Sequence, residues 1–302
     1  MAKKIIFGQQ KGGVGKTTDT VMTAIVSANI FKKKTLVIDT DLQGNATSFL
    51  SKSFKVKSIP KTFMKCIEDK DLSGGIIELD DNLDMIASQY DTRKFGDFLT
   101  NNFRSTVERT FYLSELIKEI ENDYEYIFID IPPSTDIKVD NAMVAADYIV
   151  VVQETQQFAF EGSKRLIFEY IQTLVDDFGD MVKLEIAGVL PVLLQSKRPL
   201  HQLIVDQTVE SFGKENVFNT IINNHARLEY YPRYGIQYND HHDRRMIALF
   251  SNIFDELQER ISLYEVGKFR SDYVYENKYF KDGRMTDEGK KLQLKVSDKK
   301  CL

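Results

Sequence analysis

The stretch Gln10-Lys11-Gly12-Gly13-Val14-Gly15-Lys16-Thr17-Thr18 limits what this chain can be more than any other part of it. It follows a short apolar run, Lys4–Gly8, and opens a helix-length segment, Lys16–Phe31, so a strand, a glycine loop and a helix follow in that order. Glycines lack a Cβ, which lets several backbone amides converge on one anion. The helix behind them adds a positive end of roughly half a unit charge. The residue types suit a triphosphate. Gly12, Gly13, Val14 and Gly15 form the amide cradle, Lys16 reaches the β- and γ-phosphates, the Thr17 hydroxyl can ligand Mg²⁺, and Thr18 serves the α-phosphate. Two positions depart from the strict loop. Gln10 stands where a glycine is expected, and Lys11 adds a second lysine that cannot easily share phosphates already held by Lys16.

Around this loop, apolar runs alternate with amphipathic segments, which predicts an α/β fold: a mostly parallel twisted sheet with helices on both faces. Strands are expected at Lys4–Gly8, Thr35–Asp39, Leu83–Ala87, Tyr126–Asp130, Tyr148–Gln153 and Glu185–Val189. All are rich in Ile, Val or Phe without strict alternation, as in strands covered on both faces. Helices are expected at Lys16–Phe31, Thr110–Asn122, Gly162–Phe178, Pro199–Phe212 and Asp243–Leu263. The chain divides into a nucleotide-binding domain, residues 1–262, and a polar extension, residues 263–302, with tyrosines at 264, 273, 275 and 279 and a lysine-rich end. That extension reads as a surface segment packed by its aromatics.

Two further strands end in carboxylates. Asp39 and Asp41 follow the second strand in Leu36-Val-Ile-Asp-Thr-Asp-Leu-Gln-Gly-Asn45, and Asp130 closes Tyr126-Ile-Phe-Ile-Asp130 ahead of Pro132 and Pro133. Ligands of parallel sheets lie beyond the carboxyl ends of the strands, so all three aspartates should face the phosphates. There they can orient attacking water or hold the water shell of Mg²⁺.

The loop with its extra lysine, the Asp-x-Asp-x-Gln-Gly-Asn string and the Asp-x-Pro-Pro string together resemble the deviant Walker A ATPases of the ParA/MinD family over residues 3–260. That resemblance implies a P-loop NTPase fold, ATP and Mg²⁺ as ligands, and a homodimer formed on ATP binding, in which Lys11 crosses to the partner's nucleotide. By the same match Lys11, Lys16 and Asp41 are catalytic, with Asp41 positioning the attacking water. Thr17, Asp39 and Asp130 serve the metal, and Gln43–Thr47 forms a movable switch. Gln156 stands where the family carries Glu, and Val152 where it carries proline.

Within the family, Cys66 and Cys301 lack the paired spacing of iron–sulfur carriers, and the string Gln43-Gly44-Asn45 is foreign to the bacterial tyrosine kinases. No run of about 18 apolar residues occurs, so no integral membrane segment is expected. The stretch from Val217 through Arg227 and Leu228 to Pro232 and Gly235 resembles the late segment of ParA-type partition ATPases. By that match Arg227 contacts DNA, with Lys197 and Arg198 as a further basic contact. Tyr230 and Asn223-Asn224 depart from it. Net charge is −5, so DNA binding would have to come from a local patch. The resemblance implies a cytoplasmic, nucleoid-associated protein that binds DNA without sequence preference, with slow hydrolysis stimulated by a ParB-type centromere-binding partner. The alternatives are a MinD-like positioning ATPase at a membrane and an ATP-binding regulatory adaptor.

Overall fold

The structure is a computed structural model that describes residues 1–237 and 240–292. Cys301 and the lysine-rich end lie outside the described residues. Strands β1 (Lys3–Gly8), β2 (Thr35–Asp39), β3 (Ile76–Asp80), β4 (Leu83–Ile86), β5 (Tyr126–Asp130), β6 (Tyr148–Glu154) and β7 (Glu185–Val192) form one sheet in the order β3-β4-β2-β5-β1-β6-β7. Every neighbouring pair is parallel except β3 with β4. The six expected strands are therefore present, and the antiparallel edge strand β3 is an addition. It is half-solvated and ends on the Asp80–Leu83 reversal, so it carries no continuous apolar run.

Successive residues of a strand face opposite sides, and two cores result. Ile5, Phe7, Val37 and Phe128 pack under helices α1 (Lys16–Asn29), α2 (Asn45–Phe54), α10 (Ala226–Tyr234) and α11 (His241–Glu265). Ile6, Ile38, Ile127 and Ile129 pack under α3 (Phe63–Asp69), α4 (Phe95–Asn102), α5 (Thr106–Lys118), α6 (Ile137–Ala145) and α8 (Gln172–Phe178), while α7 (Gln157–Arg165) lies against β6. A π-helical stretch, Leu166–Ile171, joins α7 to α8, and α9 (Pro199–Phe212) matches its expected span. Helix α5 begins four residues before the expected Thr110. Ser105 and Glu108 cap its start reciprocally, which satisfies two amides and fixes the boundary.

The expected boundary at 262/263 falls inside α11, which continues to Glu265. Beyond it the extension returns to the same helix. Tyr275 and Phe280 are buried, the Tyr275 hydroxyl donates to Asp255 at 2.7 Å, and Asn252 bonds the Phe280 carbonyl at 2.6 Å. A hairpin, β8 (Phe280–Lys281) with β9 (Arg284–Met285), turns through Asp282 and Gly283, both at positive φ, the geometry an Asp-Gly pair favours. A short helix, α12 (Asp287–Lys291), follows, its first turn capped by Thr286. Tyr275→Phe removes one bond to a charged group while Lys278 still pairs Asp255. A loss of about 1.5 kcal/mol in urea unfolding is expected.

Candidate nucleotide site

The loop after β1 lies at the centre of the sheet, between β5 and β6. Its entry is fixed by Gln9, which is buried and donates to the Val152 and Ala159 carbonyls and to Ser163 at 3.1–3.4 Å. Gly13 and Gly15 sit at φ +77° and +103°, where a side chain would be strained. Gly15 also forms the N-terminal boundary of α1, with no side-chain cap. The first amides of α1 are thus left to a ligand, as an anion site requires.

A cleft of about 420 Å³ opens over this loop, lined by Gly12, Gly13, Gly15, Lys16, Thr17 and Thr18 below and by Asp41, Gln43, Phe49 and Pro133 around it. Lys16 is buried, and its ammonium donates to the Lys11 carbonyl at 3.1 Å. Burial lowers its pKa, and Asp130 and Asp41 act in the opposite direction. Among the described residues the ammonium is therefore a desolvated cation with one hydrogen bond, ready for an anionic partner.

Three carboxylates meet beside it, as the strand-end rule predicts. Asp39 and Asp130 are register partners across β2 and β5. The Thr17 hydroxyl donates to Asp130 at 3.0 Å, while the second Asp130 oxygen is buried without a partner. Burial, then the neighbouring Asp39, pushes the Asp130 carboxyl well above its usual range. Burial likewise raises Asp39 to about 6, against the hydrogen bonds from Thr47. Crowded, desolvated carboxylates with one orphan oxygen call for a cation. Among the described residues, no group of three or more His, Cys, Asp or Glu could hold a metal alone. A divalent ion here fits only with oxygens supplied by a phosphate ligand, which is how Mg²⁺ is usually held.

Asp39 also ties down the segment that follows β2. Its oxygens accept from the Asp41 amide at 3.1 Å and from the Thr47 amide and hydroxyl at 2.8 and 2.7 Å. Asp41 in turn accepts from the Gln43 amide at 2.9 Å, and Ser88 holds the Asp41 carbonyl at 2.7 Å. Helix α2 then leans on α10: Phe49 stacks on Tyr231 with centroids 5.7 Å apart, and Lys52 bonds the Pro232 carbonyl at 2.6 Å.

Lys11 lies outside the cleft. Its ammonium pairs with Glu154, at the end of β6, at 2.6 Å. The sequence motifs miss Glu154 and single out Gln156, which is exposed at the start of α7. The strand-end rule that finds the aspartates applies equally to β6 and is the available signal. Arg227 is held by Asp240 and Asp243, each at 2.7 Å. Lys197 and Arg198 are exposed in the turn before α9. The backbone of that loop, at Leu194, pairs with Ile222 and Asn224, just ahead of α10. The structure therefore brings the start of the loop that carries Lys197 and Arg198 beside the segment that leads into α10.

A glycine cradle, a buried lysine and three strand-end aspartates on a central parallel sheet define a P-loop nucleotide-binding protein. Residues 2–184 match a family described as an AAA domain. The chain is 29% identical to the chromosome-partitioning ATPase Soj of Treponema pallidum, over 78% of this chain and 88% of that one. It is 30% identical to the sporulation initiation inhibitor protein Soj of Bacillus subtilis, over 78% and 89%. A plasmid partition protein of Borrelia burgdorferi, solved bound to AMPPNP, shares the fold with a TM-score of 0.66 at 20% identity, covering 87% of this chain and 99% of that one. The chain belongs to the ParA-type partition ATPases of this AAA-domain family. No helix of the described residues is long and apolar enough to cross a membrane.

Proposed function

We propose that this chain is an ATP-dependent DNA partition ATPase whose nucleotide controls dimerisation and, through it, DNA binding. The supporting observation is the division of labour between the two loop lysines: Lys16 is buried in the cleft, and Lys11 stands outside it on a displaceable carboxylate. ATP would lie on Gly12–Gly15, with Lys16 on the β- and γ-phosphates and Thr18 on the α-phosphate. Thr17 and Asp130 would hold Mg²⁺ together with the phosphates, and Asp39 would support its water shell. When bound, that ion neutralises charge on the phosphate oxygens.

Lys11 would leave Glu154 and reach the nucleotide of a second copy. Phe158, 82% exposed and four residues beyond Glu154, suits the apolar part of such a contact. Lys197 and Arg198, with Arg227 if it leaves its aspartates, would from both copies form one patch for phosphate backbone, weak in the monomer and strong in the dimer. Asp41 would orient the attacking water, and turnover should be slow. A carboxylate is a weak general base for water. No arginine lines the described cleft, and an arginine finger is worth about 10³–10⁵ in rate. A ParB-type partner would supply the stimulation, in a cytoplasmic, nucleoid-associated setting.

The test compares duplex-DNA binding across salt with ATP and with ADP. Tight, salt-steep binding with ATP alone is expected, and equal binding in both states overturns the proposal. Asp41→Ala should keep ATP affinity and dimer mass while phosphate release falls at least tenfold. Unchanged release would remove Asp41 from that role.

A further inference from the structure

Two adjoining cavities lie where α11 begins, and Arg245 lines both. The smaller, about 130 Å³, has His225, Arg227 and His242 in its wall. The larger, about 480 Å³, has His241 together with Arg284 and Lys290 of the extension. Among the described residues, no carboxylate lines either one. In a chain of net charge −5, a furrow walled by cations and imidazoles is out of keeping with the average surface.

Its geometry is built. Arg245 is anchored by a hydrogen bond to the Gly283 carbonyl at 2.9 Å and lies over the Phe280 ring at 5.9 Å. The hairpin thus holds the guanidinium in place and leaves its other donors to a ligand. Nε2 of His225 is buried with no partner. The nearest acids of α11 are engaged elsewhere, since Asp240 and Asp243 hold Arg227. Lys290 pairs with Asp287, but their side chains are 61% and 91% exposed, a pair of little strength that an anion can displace. Ala226, Met246 and Met285 add apolar wall between the charged groups, but every charged side chain that lines the furrow is basic, which suits a chain of phosphates.

We propose that the C-terminal extension completes a backbone-phosphate site for duplex DNA, in which Arg284 and Lys290 share one furrow with His241, His242 and Arg245 of α11. The inference rests on the DNA-binding reading above and extends it to a segment outside the ParA resemblance. The furrow adjoins Arg227, so one DNA strand running past α10 meets the extension next. The hairpin then has two roles: it covers α11 and presents cations.

The test uses the full chain with magnesium and a non-hydrolysable ATP analogue, and follows the anisotropy of a labelled DNA duplex across salt. Arg284→Gln with Lys290→Gln changes two exposed side chains and should leave the melting temperature, analogue affinity and dimer mass unaltered. The slope of log affinity against log salt should become shallower by about 0.9 for each phosphate that is no longer neutralised, and affinity near 0.1 M salt should fall about tenfold. An unchanged slope in the double variant, with the parent still binding DNA, overturns this inference and leaves the DNA reading intact. A parent that binds no DNA overturns both. If the variant keeps DNA affinity but loses binding of inorganic pyrophosphate, the furrow belongs to a small free anion, and the proposal is equally overturned.

Discussion

Lys16→Ala is expected to lower ATP affinity by about 100-fold or more. The ammonium is buried at the floor of the cleft and has one backbone acceptor in the resting chain. Two charge-assisted bonds to phosphate oxygens would contribute roughly 1.5–3 kcal/mol each, and every 1.4 kcal/mol is about tenfold. The fold should persist, because an alanine is a good helix former at the first position of α1 and leaves no buried charge. Calorimetric titration with ATP and magnesium provides the measurement. Affinity within a few-fold of the parent would remove the cleft from nucleotide binding and the rest of the mechanism with it.

The second large effect divides Lys11 from Glu154. If Lys11 serves a partner's nucleotide, Lys11→Ala binds ATP normally yet stays monomeric. Glu154→Gln should act in the opposite direction, since the resting monomer no longer has the ion pair that holds the lysine at home. The pair is partly solvated, with side chains 38% and 14% exposed, so each is worth about 0.2–1 kcal/mol. Two such pairs break per dimer, and dimerisation should tighten about 2- to 30-fold. Sedimentation at graded concentrations with the ATP analogue reads both variants. A Lys11→Ala protein that dimerises like the parent would falsify the crossing role, and a Glu154→Gln protein that dimerises more weakly would show that the carboxylate belongs to the dimer instead.

Much of the nucleotide cleft is legible directly in the chain. The loop, Thr17 and the three aspartates are short motifs at the ends of buried apolar strands, and a parallel sheet fixes where such ends point. Residues whose partners are distant in sequence cannot be read that way. Glu154 meets Lys11 across 143 positions, and no local pattern reports it. Helix α2 is not expected from the sequence, which gives only Gln43–Thr47 as a movable segment over its first residues. Helix α10 carries Pro232 inside it, which marks a boundary on any local rule, yet packing of Leu228 and Tyr231 keeps it helical. The extension shows the same limit. Its aromatics are visible in the sequence, but the face of α11 that receives Tyr275 and Phe280 exists only once the helix is folded.

The fit between α2 and α10 leaves almost no free play. A Cβ built on Gly235 would come within 2.7 Å of the Ser53 amide, and the Ile236 amide already bonds the Ser53 hydroxyl at 3.1 Å. Phe49, a wall of the nucleotide cleft, is wedged on Tyr231, whose hydroxyl grips the Asp243 that also restrains Arg227. Densely packed interiors transmit displacement rather than absorb it. A shift of α2 toward or away from a bound phosphate would therefore pull on the carboxylate that keeps Arg227 tethered, as a gear with no backlash turns its neighbour at once.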